Sequence, residues 1–361
     1  MFDLACSLGK HMGTYFSGYP KWKLPSGSNF QIRSFPFRTL VTYGLLRFPS
    51  GIRPKDDTLY IWQDKNFDKK VASSLSYSDF IHAMPGQCIQ TFQKAKELGI
   101  KTVLNHATGP VDLQLDLVRE EYRRVGLEAP DLSNHANYFL SLVDREFELT
   151  DYHCVASSVV KLQLIQKGVD EKKIWVVPYG ADTSFWKNSE QKEKSDFLEI
   201  VFAGQLSLRK GLKYLLDALE LAGERNWRLN VYGRKVSETM TDIKGYSGKI
   251  SVKYHGAVSQ NELCRVFQES DLLILPSLEE GFGLVITQAL SCGTPCIVSD
   301  KVGAKDLITE ECGAVFDSMD SRDLLEKIEC WAARKSRIQG DWSWTNPAKK
   351  LIEYSMAALN E

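Results

Sequence analysis

Between residues 196 and 300, short apolar runs alternate with longer stretches whose apolar residues recur at helical spacing. LEIVFAG (198–204), RLNVYG (228–233), ISVKYHG (250–256), LLILPS (272–277) and PCIVSD (295–300) read as strands. GLKYLLDALELAG (211–223), with Leu212, Leu215, Leu216 and Leu219 on one face, QNELCRVFQES (260–270) and the stretch after Gly283 read as helices. Such alternation predicts a parallel sheet wrapped by helices.

The first half follows the same idiom less regularly. TLYIWQ (58–63), DFIHAM (79–84), KTVLNHA (101–107), YHCVAS (152–157) and IWVVPYG (174–180) read as strands; helices are expected in 86–99, 112–126, 138–150 and 158–168. In YGADTSFWKNSEQKEKSD (179–196) the apolar period is lost and charge accumulates, which marks a connection between two α/β units. The expected division is an N-terminal Rossmann-like domain over 1–180, a C-terminal one over 181–340, and a last helix over 341–361 that packs back towards the first domain. FDLACSLGK (2–10) reads as helical and GTYFSGY (13–19) as strand-like, where the usual opening is a strand and glycine turn; the expectation is either that the start is assigned too late or that this domain has lost its first strand.

Composition excludes several classes. The 45 basic and 46 acidic side chains leave a net charge of −1, and the aromatics do not interleave with a basic stripe, so a nucleic-acid partner is not expected. KWK at 21–23 reads as a solvated face. No apolar run reaches bilayer length and the start lacks a basic leader with an apolar core, so the expected location is cytoplasmic. The eight cysteines form no CxxC pair, and His82 and His255 have no partners at metal spacing; no metal is expected.

The chemistry concentrates in LPSLEEGFGLVITQAL (275–290), an apolar strand that runs into two carboxylates, a Gly-Phe-Gly turn and a helix. Ligands of open parallel sheets bind beyond the C-terminal strand ends, where helix N-termini offer free N–H groups and a positive dipole end. Gly281 and Gly283 admit close backbone approach there, and Glu279 or Glu280 stands at the mouth to accept from hydroxyls. The loop 202–212 also joins strand to helix and carries Arg209 and Lys210, cations able to neutralise a phosphate. Glu120 with Glu121, and Ser157 with Ser158, are weaker candidates, the acidic pair reading as a solvated helix face.

GQLSLRKGLKYLLDAL (204–219), LLILPSLEEGFGLVITQALSCGTPCIVSD (272–300) and VVPYGADTSFW (176–186) resemble the signatures of retaining glycosyltransferases of family 4, which have the GT-B fold of two facing Rossmann-like domains. VREEYRRVGL, EFELTDYHCVASSVV and the final helix extend the likeness loosely into the first domain. The resemblance implies a metal-independent hexosyl transfer from a nucleotide-diphosphate sugar to a hydroxyl acceptor, without a cofactor. Peripheral membrane association would fit a lipid-linked acceptor. By position it assigns Glu280 to the donor sugar, Lys210 to the diphosphate, and Gln205, Arg209, Gly281, Phe282, Gly283, Leu284, Val285 and Gln288 to donor binding. It places His106, at the end of its strand, in the cleft facing the hexose. Two positions depart from the family pattern: Gln288 stands where a ribose-binding Glu is usual, and Gln205 where an Arg is usual. A weakened or non-catalytic nucleotide-sugar-binding subunit is the alternative those departures favour; an epimerase or glucan synthase ranks lower.

Overall fold

The computed structural model describes residues 2–24, 30–49, 51–189, 195–235, 243, 245–334 and 338–360. In the first half, β1 (Thr14–Ser17) pairs in parallel only with β2 (Gln31–Ser34). A separate parallel sheet runs β3 (Phe80–Ala83), β4 (Lys101–His106), β5 (Tyr152–Val155) and β6 (Ile174–Val176) in sequence order. The second half is one parallel sheet of β7 (Leu198–Ala203), β8 (Trp227–Tyr232), β9 (Ser251–Gly256), β10 (Leu272–Leu275), β11 (Cys296–Ser299) and β12 (Gly313–Phe316), ordered β9-β8-β7-β10-β11-β12. That order reverses between β7 and β10, so the two loops leaving those strands diverge and open a crevice at their C-terminal ends.

The second sheet explains its own sequence. Helices cover both faces, so its central strands read as unbroken apolar runs, and β10 and β11 are buried throughout. Alternation then sorts side chains by face. Ile200, Phe202, Ile274 and Ile297 pack with the helices Leu212–Ala222 and Ser321–Ala332; Val201, Ala203, Leu273, Leu275 and Val298 pack with Gln260–Glu269 and Leu284–Ser291. Each fully buried Leu, Ile or Phe there contributes about 1.5–3 kcal/mol. β12 and the helix Ser321–Ala332, capped by the Asp320 carboxylate, continue the alternation beyond residue 300.

Two expectations change. TLYIWQ is not a strand: it lies inside the helix Asp56–Ala72, with Asp56 and Asp57 in the first turn and Lys69 and Lys70 in the last, complementing the helix dipole. Leu59 and Val71 are its buried apolar residues, a spacing that a six-residue window misses. GTYFSGY does form a strand, β1, but it stands apart from the four-stranded sheet.

The last helix, Thr345–Leu359, belongs by contact to the first sheet. Ala348, Leu351 and Ala358 share one cluster with Leu4, Val103, Cys154 and Trp175, and the Tyr354 ring stacks on Trp175 at 5.7 Å and 4°. Lys101 Nζ donates to the Ala358 carbonyl.

Candidate functional site

The crevice at the strand-order reversal is walled by the loops after β7 and β10. The first ends in a 3-10 turn, Leu208–Lys210, that leads into the helix Leu212–Ala222. The second crosses beneath it, with Leu278 N–H donating to the Arg209 carbonyl at 2.8 Å. Its far side is held to the segment after β11: Glu280 N–H donates to Lys301 O, Gly303 N–H to Glu280 O, and Ala304 N–H to Phe282 O at 2.8 Å. Strand ends and backbone hydrogen bonds thus fix both loops before any side chain acts.

Four charged side chains meet where the loops cross. Arg209 Nη1 donates to the Glu279 carbonyl at 2.7 Å and to Glu279 Oε2 at 3.1 Å, and lies 3.9 Å from Glu280 Oε2. Lys210 Nζ donates to Glu280 Oε2. The first domain adds Gln114, from the helix Val111–Arg124, whose Nε2 donates to Glu279 Oε2 at 2.6 Å. Glu279 is only 3% exposed, yet its Oε1 has no hydrogen-bond partner among the described residues. A buried carboxylate oxygen left unpaired is costly unless a donor arrives. The Ser277 hydroxyl, equally buried and unpartnered, lies two residues before it.

The Gly-Phe-Gly turn divides its labour. Gly283, at φ +93°, is the N-cap of Leu284–Ser291 and makes no side-chain cap, so the opening N–H groups of that helix are unclaimed by a capping side chain. A Cβ on Gly281 would run into the Ala107 carbonyl and the Thr108 backbone; the close approach it permits is to the first domain. Phe282 is 2% exposed, with its ring 5.2 Å from that of Tyr179. Its side chain anchors the turn in the core, so what it offers to donor binding is its backbone. Leu284 is exposed at the helix start, Val285 is half-buried against the core, and Gln288 is half-buried two turns beyond Glu280. Gln205 is exposed on the loop after β7.

His106 ends β4 as expected and is buried. Its Nε2 is 2.9 Å from Nδ1 of His153 on β5, the rings stack at 5.2 Å, and Phe147 meets its edge at 5.5 Å. The ring is therefore buried and engaged with its neighbours inside the first domain, one residue before the backbone that meets Gly281. Burial holds His106 down at about 3 and His153 at about 4; the same cause, opposed by Asn105, holds His82 at about 4. All three are neutral at pH 7.

Residues read as weak candidates form the seam between the domains. Ser157 caps the helix Ser158–Gln166 and donates from Oγ to the Gly281 carbonyl at 2.7 Å; Ser158 donates from N and Oγ to Asp306 at 2.7 and 2.6 Å. Glu121 is not on a solvated face: it is 3% exposed and accepts from the Tyr214 hydroxyl at 2.9 Å across the seam, while Glu120 pairs outside with Arg123. Burial and the Glu121 carboxylate push the Tyr214 phenol up to about 12. Gln114 and Tyr214 escaped sequence reading; the one sits in an acidic helix, the other among core leucines.

Residues 184–350 match the family model described as glycosyl transferases group 1. Over 193 residues the chain is 30% identical to the lipopolysaccharide 1,6-galactosyltransferase of Escherichia coli, which covers 49% of each protein. Over 174 residues it is 28% identical to the GDP-mannose:cellobiosyl-diphosphopolyprenol alpha-mannosyltransferase of Xanthomonas campestris, 46% of this chain and 45% of that one. The chain spans about half the length of the curated relatives it matches. Among solved structures, Anabaena HepE in complex with UDP and glucose superposes with a TM-score of 0.63 at 15% identity, over 99% of this chain and 93% of that one. Sucrose-phosphate synthase from Thermosynechococcus elongatus gives 0.62 at 17%, over 98% and 87%. Residues 184–350 are thus similar to the glycosyl transferases group 1 family, and the chain has the overall fold of the GT-B glycosyltransferases.

Proposed function

We propose that the chain is a retaining, metal-independent glycosyltransferase of the family-4 type that moves a hexosyl group from a nucleotide-diphosphate sugar to a hydroxyl acceptor. The observation that carries this reading is the crossing of the two loops, where Arg209 and Lys210 meet Glu279 and Glu280 and one buried carboxylate oxygen awaits a donor. A sugar hydroxyl is such a donor, and a diphosphate is the partner for which two cations beside a helix N-terminus are suited. The galactosyl- and mannosyltransferase relatives, and the UDP held by the Anabaena neighbour, support a nucleotide-sugar donor.

In this mechanism the diphosphate lies over the N–H groups that follow Gly283, and Lys210 exchanges Glu280 for a phosphate oxygen. The bond from the anomeric carbon to the diphosphate oxygen breaks through an oxocarbenium-like state, and the acceptor oxygen attacks from the face the diphosphate leaves. The acceptor proton passes to the departing phosphate. Lys210 and Arg209 stabilise the charge that grows on the leaving group, which is electrostatic catalysis. Glu280 and Glu279 accept from the sugar hydroxyls and hold the ring; the Gln288 carbonyl oxygen accepts from the ribose. Gln114, reaching across the seam, orients Glu279.

The test is a thermal-shift and hydrolysis screen of the protein with UDP-, GDP- and ADP-sugars in EDTA. One donor is expected to raise the melting temperature and to release its diphosphate slowly, and Lys210→Ala to abolish the release; a folded protein that responds to no donor refutes the reading. A second reading, a weakened or non-catalytic nucleotide-sugar-binding subunit, is favoured by the neutral Gln288 and the exposed Gln205. Donor binding without turnover, with turnover gained by Gln288→Glu and Gln205→Arg, would support it.

A further inference from the structure

The helix Phe37–Leu45 is built inside out. Its buried residues are Thr39 and Thr42, whereas Phe37, Leu40 and Tyr43 are 67%, 45% and 44% exposed. The neighbouring 3-10 turn Lys21–Lys23 carries Trp22 at 77% exposure between two exposed lysines. The Tyr19 and Tyr43 hydroxyls, 3.3 Å apart, join this turn to the helix, and the chain leaving the helix exposes Phe48 and Ile52. A soluble surface scatters such side chains singly; here seven large ones lie within residues 19–52.

The charge of the same segment is one-sided. Residues 4–55 contain eight lysines and arginines and no aspartate or glutamate, in a chain whose totals are 45 and 46. Among the described residues Lys21, Lys23, Arg47 and Lys55 take part in no ion pair. Balanced overall charge thus conceals a cationic face set with aromatic rings.

We propose that this face, made of the Lys21–Lys23 turn, the outward side of the helix Phe37–Leu45 and the exposed Phe48 and Ile52, docks on an anionic lipid bilayer. Trp and Tyr favour the headgroup level, where the ring is dry and the polar atom wet, and exposed Lys and Arg add attraction to anionic lipid. Phe37, Leu40 and Ile52 supply the apolar insertion. A second copy of the chain is a poor occupant, because a symmetric contact would oppose two segments that each carry eight basic and no acidic side chains. The face contains none of the crevice residues, so this inference and the donor reading stand or fall separately.

The experiment is co-sedimentation of the full chain with vesicles of phosphatidylcholine mixed with phosphatidylglycerol, against phosphatidylcholine alone, at low and high salt. The protein is expected to pellet with the anionic vesicles at least about tenfold more strongly than with the neutral ones, and to be released by salt. Two triple variants, Trp22→Ser/Phe37→Ser/Tyr43→Ser and Lys21→Glu/Lys23→Glu/Arg47→Glu, are each expected to weaken binding by at least about tenfold, with thermal unfolding as the check that they remain folded. Folded wild type that stays in the supernatant, equal binding to both vesicles, or variants that bind like wild type would overturn the proposal. So would a concentration-dependent dimer that the same substitutions dissolve without any vesicle binding.

Discussion

The second sheet and the segment before residue 56 put apolar side chains to opposite uses. In the sheet, β7, β10 and β11 bury almost every residue, and the helices turn their leucines inward. In the helix Phe37–Leu45 the threonines face in and the rings face out. The contrast teaches that a hydrophobic residue reports burial only when its spacing agrees with its element; an apolar face turned outward is a statement about a partner.

Stability measurements would break this contrast first. Phe202→Ala is expected to cost about 3–5 kcal/mol in urea unfolding, because Phe202 fills the interior between β7 and two helices, whereas Phe37→Ala should change stability by no more than about 0.5 kcal/mol. Equal costs would show that the outward helix face is covered within the fold. Next in size, Lys210→Ala should lower donor turnover by about 10²–10³-fold while leaving the unfolding midpoint near wild type, since its charge acts on the leaving group and not on the core. An unfolding midpoint that collapses instead would make the Lys210–Glu280 pair structural.

Acid separates the two sheets. Folding holds His106 and His153 at about 3 and 4 against an unfolded value near 6.5, so the unfolded chain binds the extra proton in between. Stability from this pair is complete above about pH 6.5 and is lost as pH falls towards 4, at about 1.4 kcal/mol per unit for one proton taken up. Burial raises Asp64, Asp68 and Glu146, a contribution of opposite sign, so the measurement is the difference in slope between wild type and His106→Asn/His153→Asn. Identical slopes would mean that the pair is not buried neutral. A smaller effect is expected at the seam: Tyr214→Phe removes the donor to Glu121 Oε1, leaving that carboxylate only Arg124 at 3.7 Å, and should cost about 1 kcal/mol, a loss that Glu121→Gln in the same chain partly recovers.

The second domain was legible because a doubly covered parallel sheet writes itself as whole apolar strands, and because the acidic and basic loops sit at its strand ends. Both loops converge as residue types suggested, and Arg209, Lys210 and Glu280 meet there. Contacts across domains were not legible. Glu121 looks like one charge among many on the helix Val111–Arg124, and only the approach of Tyr214 buries it. The partner of His106 was not legible either, because the neighbouring strand supplied a second histidine that no sequence window contains. TLYIWQ misled because its β-branched and aromatic residues favour strand locally, while the charges that make it a helix lie outside the run.

The stacking of Tyr354 on Trp175 has a consequence for the order in which the protein is made. A ribosome releases residues 1–180 long before residue 345, yet the wall formed by Ala348, Leu351 and Ala358 is part of the core around β4, β5 and β6. The second sheet holds its described strands within residues 198–316, and its core is completed by Trp331 and Ile338, a short way before that helix. The core of the first sheet therefore stays open, with Trp175 lacking its stacking partner, until the helix Thr345–Leu359 has been made and returns to it.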